Sequence, residues 1–339
     1  MQTGRINSVA VIGDGKMGKG LFNHLVKYPL RIAWINIGNP DEEQIKFTKK
    51  VNRLLKCGSV NNDEYEQMLG RVKITNDINA IRDYSLIIET ITEDINLKNK
   101  LFAEVEKCVS GECIVVSNSS SILPSCFNLS AELKKRFAGL HFFYPVETSS
   151  IVELISSDET EKYTTEALTD FCAFIGKNTL LQNNVNAFAA NRFFLEIQSG
   201  LFNYCIKNNI PFKTADKVIS DNFFSPGIFE SMDIIGSEIL LYAVKNYSEM
   251  KGNPEGYKYL IDYLDKMVSS GSKGFFQDSA TCTSSVENVP DFQINQIITF
   301  VRNLFDIFVK EYLNQNIVSQ KEVLMIIEEY SRSDYNSWK

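Results

Sequence analysis

The sequence predicts an α/β domain followed by an all-α domain, and three observations carry the prediction. Near the N-terminus a β-branched run, SVAVI, feeds a glycine-rich turn and then an amphipathic stretch, LFNHLVKY. From there to about residue 184, short apolar runs alternate with segments of helical period, the pattern of strands joined by crossover helices. Across 184 to 190 the strand-like runs stop, and only helical periodicity continues. A chain of 339 residues has room for two domains, and 44% apolar with 23% charged residues is ordinary for a globular protein.

The glycine turn, SVAVIGDGKMGKG, spaces Gly13, Gly15 and Gly18 as a dinucleotide-binding fingerprint between a buried strand and a helix. That context makes the first domain Rossmann-type with NAD as its cofactor. Gly13 makes the tight turn, Gly15 admits a pyrophosphate to the helix N-terminus, and Gly18 lets helix and strand pack closely. Lys16 and Met17, inside the same turn, join the expected cofactor contacts. The second strand, RIAWIN, ends at Asn36, where an acid normally holds the ribose 2′-hydroxyl. An amide there can bond the hydroxyl but repels no 2′-phosphate. No arginine follows to welcome that phosphate, so NAD stays ahead of NADP.

Residues 40 to 69 read as two charged helices about a turn at Gly58 to Asn62. RVKI (71 to 74) and YSLIIET (84 to 90) read as strands, and the second leads into a helix with Glu93 and Lys98 near its start. CIVVSNSSS (113 to 121) is a buried strand with a polar end. Ligands bind at strand ends in this architecture, which puts Glu93, Asn118 and Ser120 on the functional edge. Any one of those serines could equally cap the next helix.

Proton chemistry by an imidazole has two candidates, His24 and His141, and His24 on the first helix reads as a surface or packing residue. His141 lies in RFAGLHFFYPVETSSIVELIS, two short strands joined by a loop with a proline, and Glu153 on the second could lie beside it. A carboxylate on one ring nitrogen fixes the tautomer, as a general base requires. A buried structural pair is the competing reading of these two residues.

NTLLQNN (178 to 184) is the expected last strand. After it come AFAANRFFLEIQSGLFNYCIKNN, TADKVISDNF, FESMDIIGSEILLYAVKNY and GYKYLIDYLDKMVSS as helices. A polar linker, 277 to 291, leads to helices over 294 to 313 and 319 to 330. We read this tail as an internal repeat offset by 107 residues, with Phe193, Ile197, Leu201 and Ile206 falling on Phe300, Leu304, Phe308 and Leu313, and Asn209 and Ile210 on Asn316 and Ile317. Its apolar stripes should be buried on the helical domain or on a partner subunit.

Composition narrows the function further. A net charge of -7 with no basic run argues against nucleic acid as a partner. The seven cysteines, at 57, 108, 113, 126, 172, 205 and 282, form no CxxC pair and no Cys/His cluster, so neither a metal site nor a disulfide framework is expected. A reducing cytoplasm fits best. No apolar stretch approaches the ~20 residues of a membrane span, and the first residues lack a signal-peptide pattern.

VIGDGKMGKG, ETITEDINLKNKLF, SNSSSI, RFAGLHFFYPV with VELI, NAFAANRFF and SPGIFESMDIIG occur in that order between residues 5 and about 277. With them the chain resembles the 3-hydroxyacyl-CoA dehydrogenases. The resemblance implies that His141 is the catalytic base paired with Glu153, that Ser120 and Asn191 position the substrate oxygen, and that Glu93 and Lys98 line the nicotinamide and thioester ends of the cleft. It implies an NAD-binding domain over 1–185, a helical domain over 186–277 through which subunits dimerise, and, over 278–339, a linker with half of a second helical repeat. It also implies reversible NAD-linked oxidation of a 3-hydroxyacyl thioester to the 3-oxoacyl thioester. Four departures bear on substrate identity more than on reaction type: Tyr144 stands where HFFNP has asparagine, Asn36 where an acid is usual, NVNAF with Ala187 replaces DTPGF, and SGSKGFF replaces KTGxGFY. The same chemistry on an acyl-carrier-protein substrate, or on a free hydroxy acid as in gulonate 3-dehydrogenase, is the alternative. A non-catalytic dinucleotide-binding or structural protein, as among lens crystallins, is a third reading, and the presence of both His141 and Glu153 speaks against it.

Overall fold

The computed structural model describes residues 6–182, 188–272, 274–276, 290–314 and 318–330. By its contacts the chain divides into two compact units, Met1–Val185 and Asn186–Lys339.

The first unit is built on an eight-stranded sheet in the order β3-β2-β1-β4-β5-β6-β7-β8. The strands are β1 (Ser8–Ile12), β2 (Arg31–Ile35), β3 (Val72–Thr75), β4 (Leu86–Glu89), β5 (Ile114–Ser117), β6 (Phe137–Phe142), β7 (Ile151–Ile155) and β8 (Asn178–Gln182). All neighbours pair in parallel except β6 and β7. The helices are α1 (Lys16–Leu25), α2 (Pro40–Lys56), α3 (Asn62–Gly70), α4 (Ile95–Cys108), the single turn α5 (Ala131–Lys135) and α6 (Lys162–Phe174). Parallel strands are buried on both faces, which is why β1, β4 and β5 read as unbroken apolar runs. Val9, Val11, Leu86 and Ile88 face one core with Leu21 and Phe171, while Ala10, Ile12, Ile87 and Val115 face the other with Phe102.

Helix boundaries follow their caps. Asn39 accepts from the Glu42 N–H ahead of Pro40, Asn61 and Glu64 form a reciprocal capping box, and Asp94 accepts from the N–H groups of Asn96 and Leu97. The Asp94 cap starts α4 at Ile95 and leaves Glu93 in the loop before it. Helix α6 is weakly marked in the sequence, because Thr- and Phe-rich KYTTEALTDFCAF has no side-chain cap; its buried Thr164, Leu168, Phe171 and Cys172 nonetheless keep helical spacing.

Every element among the described residues of the second unit is helical: α7 (Ala189–Asn208), α8 (Phe212–Asn222), α9 (Ile228–Ile235), α10 (Ser237–Met250), α11 (Pro254–Ser270), α12 (Asp291–Asn314) and α13 (Gln320–Tyr330). FESMDIIGSEILLYAVKNY, read as one helix, is two, because Gly236 sits at φ +92, a left-handed conformation that ends α9 and starts α10. Asp216 of α8 caps α9 across the chain, its carboxylate oxygens accepting from the N–H groups of Phe229 and Glu230.

The tail helix α12 packs on α7: Phe193 stacks on Phe305 with centroids 5.4 Å apart and meets Phe308 edge-on at 4.7 Å. Tyr312 Oη donates to the Ala189 carbonyl at 2.7 Å, and Arg192 pairs with Glu311. The apolar stripe of α12 is therefore covered within its own unit. Its buried residues are Ile297, Val301, Phe305, Phe308 and Tyr312, so of the tail positions matched to α7 by the 107-residue offset only Phe308 is buried. Asn316 and Ile317, and all of the linker up to residue 289, lie outside the described residues. The six cysteines among the described residues are free thiols.

Candidate active site

Strand β1 lies between β2 and β4, the point where the strand order reverses and where ligands settle against strand ends. The turn leaving β1 gives its glycines different duties. Gly13 has φ +134 and its carbonyl accepts from Trp34 Nε1 at 2.7 Å, while a Cβ on Gly18 would collide with the Gly13 carbonyl and with Thr90 Oγ1. A Cβ on Gly15, by contrast, would meet nothing within 4 Å. Gly15 caps α1 with no side chain on the helix's first N–H groups and no acid in its first turn. An open, uncapped glycine cradle is what the pyrophosphate of NAD needs, so these residues fit that cofactor. Lys16 is exposed beside the cradle, and Met17 packs against the core.

Asn36 follows β2 and is buried, its Oδ1 accepting from the Gly38 N–H at 2.9 Å. At the ends of β4 and β5 a polar network fills the next stretch of this sheet edge. Glu89, fully buried, accepts from Lys98 Nζ at 2.6 Å, from the Ile91 N–H at 2.6 Å and from Ser117 Oγ at 2.5 Å. Burial pushes the Glu89 carboxyl up, against the pull of Lys98 and these hydrogen bonds. Lys98, only 1% exposed, also reaches within 3.4 Å of Glu93 Oε2. Glu93 in turn gathers the serine loop after β5, accepting from Ser119 Oγ, from the Ser120 and Ser121 N–H groups and from Ser121 Oγ. Burial would raise this carboxyl too, but the bonds from Ser119 and Ser121 with the Lys98 ammonium outweigh it, and it is held below the usual range. Asn118 ties the loop to the next strand, its Oδ1 accepting from the Phe142 N–H at 2.8 Å.

That bond fixes the position of His141. In β6, Ala138, Leu140 and Phe142 turn into one core, and His141 falls on the opposite face, as the two-residue period of a strand requires. The antiparallel register sets His141 directly across from Glu153, and the ring Nδ1 lies 2.7 Å from Oε2. A carboxylate only accepts, so Nδ1 carries the proton. Glu153 is 0% and His141 7% exposed, and Phe143 stands edge-on to the imidazole at 4.6 Å. A carboxylate on one ring nitrogen orients the imidazole and favours its protonated form.

His24 is the packing residue: buried, with Nε2 3.0 Å from the Ile175 carbonyl. Asn191 lies in the first turn of α7, in the other unit. The residues the sequence did not single out are Glu89 and Thr90. Glu89 was legible only as the last residue of an apolar strand, and its partners come from three separate segments.

A glycine-cradled dinucleotide domain with a buried histidine–carboxylate pair on its antiparallel strands defines the class as an NAD-binding domain of the dehydrogenase type. Residues 8–185 match the family model described as "3-hydroxyacyl-CoA dehydrogenase, NAD binding domain", and the chain belongs to that family. It is 27% identical over 280 residues to a glyoxysomal fatty acid beta-oxidation multifunctional protein of Brassica napus, in a match spanning 80% of this chain but only 38% of that protein's length. A probable 3-hydroxyacyl-CoA dehydrogenase of Caenorhabditis elegans is 26% identical over 283 residues, 80% of this chain and 91% of that one. The fold matches the crystal structure of (S)-3-hydroxybutyryl-CoA dehydrogenase from Ralstonia eutropha with a TM-score of 0.67 at 22% identity, covering 78% of this chain and 94% of the other. Among the described residues no helix is long and apolar enough to cross a membrane, and no group of His, Cys, Asp and Glu could hold a metal ion.

Proposed function

We propose that this chain interconverts a 3-hydroxyacyl thioester and the 3-oxoacyl thioester, with CoA as the carrier. The observation that carries the reading is the buried His141–Glu153 pair, Nδ1 to Oε2 at 2.7 Å, beside a loop that Glu93 gathers and Asn118 ties to the same strand. NAD, when bound, supplies the hydride acceptor. His141 takes the proton of the 3-hydroxyl at Nε2, because Glu153 holds Nδ1. Glu153 then balances the imidazolium, so that proton transfer to the ring turns a buried anion into a neutral ion pair. Ser120 holds the substrate oxygen beside the imidazole. Asn191 is assigned the same task by the resemblance alone.

The test is NADH-dependent reduction of acetoacetyl-CoA, of the same acyl group on an acyl carrier protein, and of free oxo acids. Turnover on the CoA ester that collapses in His141→Gln supports the reading; preference for carrier-bound or free acids corrects the substrate class. A parent inactive on all of them, yet binding NADH, would favour the non-catalytic alternative. We further propose that the chain forms a homodimer through the second unit, where Ile234 of α9 and Ile239 and Tyr242 of α10 are each exposed. A single monomeric mass across a concentration series in light scattering would refute that. We place the protein in the cytoplasm on its free thiols, and recovery with peroxisomes on fractionation would refute the placement.

A further inference from the structure

The residue that normally selects NAD over NADP is an acid at the end of the second strand, and here it is Asn36. That amide cannot do the selecting. Its Oδ1 is engaged by the Gly38 N–H, and the group left, an amide N–H₂, is a donor that would welcome a phosphate as readily as a hydroxyl.

A carboxylate nevertheless stands at this strand end, delivered from the neighbouring strand. Asp14, between Gly13 and Gly15, is exposed, and its Oδ2 lies 3.2 Å from the point a Cβ on Gly38 would occupy. Asn36 Oδ1 lies 3.3 Å from that same point. Both side chains thus converge on Gly38, and the missing side chain there leaves them the room. Asp14 has no ion pair among the described residues. Residues 36 to 40, NIGNP, offer no cation, and of the acids opening α2, Glu42 and Glu43 are already paired with Lys46 and Lys19. Lys16, which opens α1, makes no ion pair with Asp14 among the described residues.

We propose that Asp14 determines cofactor choice in this chain, accepting from the adenosine ribose hydroxyls of NAD and repelling the 2′-phosphate of NADP. The assignment rests on the reading that the glycine cradle holds a dinucleotide. One charge near a surface, partly screened by water and salt, changes affinity by roughly tenfold.

Calorimetric titration of the full chain with NADH and with NADPH reads this without turnover. The parent binds NADH roughly tenfold or more tighter than NADPH. Asp14→Asn, an isosteric change at an exposed position, brings the two affinities within about threefold, chiefly by strengthening NADPH. Adding Asn36→Asp to that variant, which returns the carboxylate to its usual strand, restores the preference. Asp41→Asn, in the first turn of α2, leaves the ratio unchanged. A ratio in Asp14→Asn equal to the parent's overturns the proposal, as does a parent that prefers NADPH or an equal effect from Asp41→Asn. A parent that binds neither dinucleotide overturns the cofactor reading beneath it instead.

Discussion

Two fully buried carboxylates stand on the same face of the first unit's sheet: Glu89 at the end of β4 and Glu153 in the middle of β7. Each is matched with a nitrogen base, Lys98 at 2.6 Å and His141 at 2.7 Å. Lysine ordinarily stays charged at every physiological pH, whereas imidazole changes charge within it. The Glu89 pair is also enclosed, with the Ile91 N–H and Ser117 Oγ on the carboxylate and the Ile91 carbonyl on the ammonium. It is a fixed post that shapes the loops of the cleft. The Glu153 pair has nearly the same distance, and its base is of the kind that changes charge near neutral pH, which is what the proposed proton transfer uses.

This contrast can be broken experimentally. The largest expected effect is on turnover: His141→Gln should lose roughly 10²- to 10⁴-fold in kcat, with NADH affinity and thermal midpoint close to the parent's. Lys98→Met should do the opposite kind of damage, leaving Glu89 buried without its cation and costing about 3–5 kcal/mol in denaturant unfolding. If His141→Gln destabilises the chain as much as Lys98→Met does, the two pairs are alike and the comparison fails. Combining Glu89→Gln with Lys98→Met removes both charges and should regain more than half of that loss, because the penalty lies in the uncompensated charge.

A third buried carboxylate sharpens the point at smaller amplitude. Asp216 has two backbone N–H donors and no ion pair among the described residues, and burial pushes its carboxyl up to about 6. The folded state then holds this proton more tightly than the unfolded chain does, so stability falls as pH rises from about 4 to about 6 and is flat above. The decline should be about 3 kcal/mol, and Asp216→Asn should flatten it in midpoints measured across that range. An unchanged slope in the variant would mean another group titrates there.

How much of this was legible beforehand depends on the range of the interaction. The glycine turn, the strand alternation and the hairpin carrying His141 and Glu153 are local patterns, and the sequence displays them. The exact pairing of His141 with Glu153 needed the register, which an eight-residue loop does not dictate. Lys98 could be assigned to the cleft but not to Glu89, because the burial that joins them is created by β5 and α4 together. The sequence does not mark Asp14, because its place in the motif says nothing about which strand its side chain overhangs. In the tail the helices were plain, but the face of α12 was not: amphipathic stripes slide by one residue at little cost in pattern, and only the facing α7 decides which row is covered.

The seam between α7 and α12 also bears on how the chain is made. Its two sides are far apart in sequence, 119 residues for Arg192 and Glu311 and 123 for Ala189 and Tyr312. During synthesis at about 5–20 residues per second, the apolar row of α7 waits on the order of ten seconds for its cover. The first unit has all its strands by then and can close alone, while Phe193 remains without Phe305 and Phe308. A ribosome-arrested chain ending near residue 290 should accordingly protect the sheet from protease and leave α7 cleavable. Release of the full chain should then protect both, and protection of α7 before the tail emerges would show that the helical unit closes without it.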